Sequence, residues 1–157
     1  MIFLIDDLMK KILLITLSVF LAFSFSARAQ EGLQIDSLFN GGFVPKSRIT
    51  ESLVTGKELK PYNLDYFRSV RLQASDGEIR RIVSWLEGDA LMAVEKDMDS
   101  ENGELVYALM RFASNNGKNK YLGYQVKESS GGSKYVTVVY MTGKATARDL
   151  KVIFKHR

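Results

Sequence analysis

Thirty residues at the amino end decide how much of this chain is available to fold. Met9-Lys10-Lys11 opens a basic stretch, and Ile12 to Phe25 is an apolar run broken by Thr16, Ser18 and Ser24. Ala27-Arg28-Ala29 then places small residues at the two positions a signal peptidase reads, so the expected cut falls between Ala29 and Gln30. A membrane span needs about 20 predominantly apolar residues, and the run is too short for that and suited to a cleaved export signal. Asp6 and Asp7 are out of place in a basic leader, whereas a start at Met9 gives the expected Met-Lys-Lys-apolar order. Residues 1–29 are therefore read as a signal peptide translated from Met9, and residues 30–157 as a single domain.

Removing 29 of 157 residues leaves 128, with a net charge of +3, because three basic and two acidic residues go with the leader. That length suits one domain, which buries roughly two thirds of the surface its unfolded chain exposes. The chain has no cysteine, so neither a lipid anchor on Cys nor a disulfide is available, although an oxidising compartment would permit one. A small positive charge spread along the chain is a solubility feature, and a nucleic-acid partner is not expected.

The core must come from patterning. Ser75-Asp76-Gly77-Glu78 is a helix start, since Ser75 or Asp76 can accept from the open amides and Glu78 lies in the positive first turn. Ile79, Ile82, Val83, Leu86, Ala90 and Ala93 follow at spacings of three and four, the stripe of a helix lying on a sheet. Gly88 interrupts that stripe and suggests an end there with a restart at Asp89. Strands are expected over residues 48–55, 66–74, 105–113, 121–128 and 135–142. In the second, Tyr66, Val70, Leu72 and Ala74 face the core while Phe67, Ser69, Arg71 and Gln73 mostly face water. The third is apolar on both sides and should be interior. Asn115-Asn116-Gly117 and Gly131-Gly132 supply hairpin turns. Asp97 to Glu104 reads as a polar turn. The tail after Lys144 admits two readings, a strand through Leu150, Val152 and Phe154 or, preferred, a helix capped by Thr146 with Ala147, Leu150, Ile153 and Phe154, whose Arg148, Lys151 and Lys155 form a solvated basic ridge, with Lys155, His156 and Arg157 near the negative dipole end. The expected fold is α+β: an antiparallel sheet of about five strands with helices on one face, in the order ββαβββα.

Chemistry-bearing constellations are sparse. The one histidine, His156, lies at a cationic chain end, a poor place to activate a hydroxyl. Asp97 to Glu104 alternates oxygens like a calcium loop, but Gly103 falls on the seventh position instead of the sixth and Ala108 stands where a bidentate Glu is required. No cofactor and no metal are expected. Arg68 and Arg71 suggest either an anion contact or, as we read them, an edge strand blunted by charge, with the Arg68 stem along the sheet. Trp85, beside the helix stripe, is read as core packing in preference to a sugar-stacking platform.

Three segments carry a resemblance: the signal ending Ala29-Gln30; Gly56-Lys57-Glu58-Leu59-Lys60-Pro61-Tyr62 leading into Leu64-Asp65-Tyr66-Phe67-Arg68-Ser69; and Val138-Val139-Tyr140-Met141-Thr142-Gly143 followed by Thr146-Ala147-Arg148-Asp149-Leu150. Together they resemble small exported Bacteroidetes proteins of domain-of-unknown-function families. The resemblance implies fold and compartment, brings no catalytic residues, and suggests envelope signalling near extracytoplasmic sigma-factor systems. The expectation is a periplasmic or secreted, non-enzymatic interaction or regulatory module of the cell envelope. It would act on an unidentified envelope protein, without stable membrane insertion after cleavage. The alternative is a carboxylate-dependent hydrolase acting on envelope polymer or glycan.

Overall fold

Six strands build the sheet in the computed structural model, which describes residues 32–154. A short helix α1 (Asp36–Phe39) and a 3₁₀ turn (Lys46–Arg48) lead into β1 (Ile49–Thr55). A second 3₁₀ segment (Gly56–Tyr62) connects it to β2 (Leu64–Gln73). Then come α2 (Asp76–Ala90), β3 (Glu95–Glu101), β4 (Glu104–Asn115), β5 (Lys118–Glu128), β6 (Lys134–Gly143) and α3 (Ala147–Phe154). The sheet is antiparallel throughout, ordered β1-β2-β6-β5-β4-β3. The expected export signal, its start at Met9 and its cut between Ala29 and Gln30 lie outside the described residues, as do Lys155, His156 and Arg157.

Local chemistry explains the regular elements. Ser75 begins α2 through a full capping box: its hydroxyl accepts from the Glu78 amide at 3.3 Å, while Glu78 accepts from the Ser75 amide at 2.9 Å. Arg48 then grips the same Glu78 carboxylate at 2.6 and 2.9 Å and the Gln73 carbonyl at 3.1 Å, tying the start of β1 to the start of α2. Thr146 and Asp149 repeat the reciprocal arrangement at α3. Asn102-Gly103 and Asn116-Gly117 all take positive φ, the backbone that tight hairpins demand.

Two expectations about the sheet are corrected. Glu95–Glu101 is a sixth strand where a polar turn was expected, so the order of elements is ββαββββα with α1 in front. An edge strand needs a partner on one side only, and acidic residues there are tolerated and even protective. Its Met98 packs partly against the core. Asn102-Gly103 is the turn of the hairpin this strand makes with β4.

The helices also do not lie on one face. One face carries Val70, Leu72, Met110, Leu122, Tyr124, Val136, Val138 and Tyr140 under Ile79, Ile82 and Leu86 of α2 and Ile35, Leu38 and Phe39 of the leading segment. The opposite face carries Val54, Phe67, Leu109, Tyr121, Val139 and Met141 under Leu59 and Leu150. Phe67 and Ser69, expected to face water, are buried there. The Tyr121 hydroxyl donates to the Ala145 carbonyl at 2.7 Å and fixes the approach to α3.

Topology follows from length. β2 and β3 lie four strand spacings apart, about 19 Å, and the fifteen residues of α2 span about 22 Å. The helix is therefore long enough to carry the chain from β2 to the far edge at β3, and the meander β3-β4-β5-β6 returns to pair with β2. Within it β4 lies between β3 and β5, interior as its two apolar sides require.

Candidate binding groove

One flank of α2 borders a groove. Gln34 to Asn40 lies along the helix, anchored by Asp89, which is fully buried in the last turn of α2. Its two carboxylate oxygens accept from the backbone amides of Gln34 at 2.7 Å and Ile35 at 3.0 Å. Burial pushes the Asp89 carboxyl above its ordinary range, and the two amide donors offset that in part. Gly88, one residue earlier, has no side chain where the Gln34 amide sits, and a Cβ there would run into it. The helix thus passes through Gly88 instead of ending there, and Asp89 is a clamp where a restart was expected.

Beyond Asn40 the chain turns at Gly41, whose φ is +75°, and Phe43 returns to lie edge-on to Trp85, with ring centres 4.9 Å apart at 73°. The Arg81 guanidinium lies 5.4 Å from the Trp85 ring centre. Arg68 of β2 holds the end of α1, donating to the Phe39 carbonyl at 2.9 Å and to Glu51 at 2.6 Å, with its guanidinium 5.2 Å from the Phe39 ring centre. The result is a groove of about 540 Å³ lined chiefly by Leu33, Gln34, Asp36, Phe43, Arg81 and Trp85. Its volume is in the range of sites for small molecules or single side chains.

Asp36 contributes the groove's carboxylate. Its Oδ2 accepts from the Asn40 side-chain amide at 2.8 Å, whereas Oδ1 is enclosed with no hydrogen-bond partner among the described residues. Leu91 and Met92 follow α2 within a turn of Gly88 and are exposed, Leu91 at 85%.

The residues singled out from sequence are distributed over the molecule. Arg68 and Arg71 sit on opposite sides of the sheet, because strand residues three apart point in opposite directions. β2 is flanked by β1 and β6, so the expected edge strand is an interior one. Arg71 lies instead over the Tyr135 ring, 5.1 Å from its centre. Lys151 of the basic ridge reaches Asp97 at 3.8 Å. Trp85 is half-buried, packed partly against the core as expected, and also lines the groove. Sequence reasoning missed Asp89 as the clamp that holds the leading segment beside α2. The available signal was Gly88-Asp89 lodged inside an otherwise regular helical stripe.

The other perturbed groups serve the fold. Burial pushes Tyr107 up to about 12, helped by Asp97 and Asp99, and Tyr140 likewise to about 12, helped by Tyr66. Asp65 is drawn up by burial but held below its ordinary value overall by Lys118 and Thr142. Among the described residues no group of three or more His, Asp or Glu side chains could hold a metal ion. No helix among them is long and apolar enough to cross a membrane.

A protein-family model with the description "Family of unknown function (DUF6108)" matches residues 22–154, most of the chain. No curated protein and no solved structure matches it.

Proposed function

The chain belongs to that family of unknown function, and from the groove on α2 we propose that it is a non-enzymatic binding module of the bacterial cell envelope. One observation carries this reading: a half-buried aromatic pair, Phe43 and Trp85, shares a groove with the exposed Arg81. Aromatic surface flanked by a placed cation suits a partner's apolar side chain with a neighbouring carboxylate for Arg81. A carboxylate-dependent hydrolase would need two accessible carboxyls in one cleft. Asp36 is the one carboxylate among the residues lining this groove, and Asp89 spends both oxygens on backbone amides, which favours binding over hydrolysis. Export rests on the Lys10-Lys11, apolar and Ala27-Arg28-Ala29 pattern, with the Bacteroidetes-like segments as support for the compartment.

Trp85 is the only tryptophan, so intrinsic fluorescence reports on the groove directly. Crosslinking pull-down from native envelope is expected to recover a reproducible protein partner with the unmodified chain, and to lose it with Arg81→Glu and Trp85→Ala. The partner's binding segment should shift Trp85 emission. No such partner, together with turnover of a glycan or peptide substrate, would reverse the reading in favour of the hydrolase. Mass spectrometry of the secreted or periplasmic protein should find Gln30 at the amino terminus; a protein retaining residues 12–25 in the inner membrane refutes the export assignment.

A further inference from the structure

The two edges of the sheet differ in what they would do to a second copy of the same strand. β1 and β3 each have one strand neighbour among the described residues, β2 and β4 respectively. β3 reads Glu-Lys-Asp-Met-Asp-Ser-Glu, and β1 reads Ile-Thr-Glu-Ser-Leu-Val-Thr. Antiparallel pairing of β3 with itself about Met98 sets Glu95 against Glu101 and Asp97 against Asp99. Like charges directly opposite are destabilising, so this edge repels its own copy. The same operation on β1 about Ser52 sets Ile49 against Thr55, Thr50 against Val54 and Glu51 against Leu53, with Ser52 meeting Ser52 on the axis. No like charges stand directly opposite one another; the two Glu51 carboxylates are diagonal neighbours, each neutralised by its own Arg68, and two of the cross-strand pairs join β-branched side chains that fit a pleated surface.

The side chains support the same axis. Leu53 is 46% exposed, and in this register the two Leu53 side chains become diagonal neighbours across the centre, within reach of one another. Glu51 is already steadied by Arg68 at 2.6 Å, so it meets the other copy as part of an ion pair.

We propose that β1 is a homodimerisation edge, joining two copies through antiparallel β1–β1 pairing about Ser52 into a continuous twelve-stranded sheet. The pairing is isologous, as a two-fold dimer requires, and a single strand-to-strand contact makes a reversible dimer instead of an obligate one. It leaves the groove on α2 unused, so it stands independently of the binding reading.

Sedimentation equilibrium on the purified protein, expressed from the full sequence, tests this with two opposite charges at one exposed position. Leu53→Glu places an acid opposite Glu51 and diagonal to its own copy, and should raise the dimer dissociation constant at least tenfold, about 1.4 kcal/mol. Leu53→Lys faces Glu51 instead and should keep the dimer or tighten it. Leu53 is exposed and its neighbour on β2 is Arg68, so Leu53→Glu should melt at or slightly above the unmodified protein and Leu53→Lys slightly below it, both still folded, which circular dichroism checks. A protein monomeric at every accessible concentration overturns the proposal, and so does a dimer that both variants shift equally or neither shifts.

Discussion

Replacing Asp89 by alanine isolates the bond that holds the leading segment on α2. The Ile35 amide lies in a buried bond, and a buried donor left unmade costs about 1–3 kcal/mol. The Gln34 amide is only partly buried, so water can replace the lost oxygen at small cost. Two gains act against this loss. Alanine improves helix propensity by about 0.5 kcal/mol, and deletion removes a carboxylate that is costly to bury. The buried amide dominates, leaving a net loss of about 1–2 kcal/mol at neutral pH, or about 4–8 °C in melting temperature for a domain of this size.

The pH dependence has a definite sign. The native Asp89 carboxyl is raised by burial, so the folded state holds its proton at pH values where the unfolded chain has released it. That contribution to stability is full below the ordinary value near 3.8, and it is lost as pH rises through the native one. The Asp89→Ala penalty should therefore be larger in acid and smaller at neutrality. Thermal melts across pH, with hydrogen exchange at the Gln34 and Ile35 amides, provide the assay. An unchanged melting temperature with Ile35 still protected would refute the clamp, and a penalty that grows as pH rises would show that the two amides outweigh burial in setting the Asp89 carboxyl.

Three further perturbations follow from the packing. Gly143→Ala should destabilise by about 1–3 kcal/mol in urea titration, because a Cβ there runs into the backbone of Asn63 and Leu64; a neutral effect would contradict that close approach. Glu78→Gln should cost about 1 kcal/mol at neutral pH. Arg48 and the Ser75 amide hold the Glu78 carboxyl down to about 2, so its contribution is present above about 4.5 and lost as pH falls toward 2; equal acid sensitivity of variant and parent would oppose this. Leu86→Asp puts a charge on a fully buried side chain and should abolish soluble folding, and a cooperative melt near that of the parent would overturn the packing of α2 on the sheet.

What the sequence determined by itself is what neighbouring residues determine together. The Ile79–Ala90 stripe with its Ser75 cap, the turns at Asn116-Gly117 and Gly131-Gly132, and the Thr146 start of α3 depend on interactions a few residues apart, and each stands where the pattern placed it. Tertiary structure decided the rest, because those features depend on partners far away in the chain. Glu95–Glu101 has poor strand propensity and becomes a strand because β4 offers it a ladder. Phe67 and Ser69 are buried because Leu59 and Leu150 arrive from the 3₁₀ segment and α3 to cover a face that alternation alone assigns to water. Asp89 becomes a clamp because the amides it binds lie 54 and 55 residues earlier, and the groove exists only once that clamp lays Gln34 to Phe43 beside Trp85. A single sequence records which residues prefer a helix, a strand or a turn; it does not record which distant surface will shield a given side chain, and that shielding fixes both the two-sided core and the site.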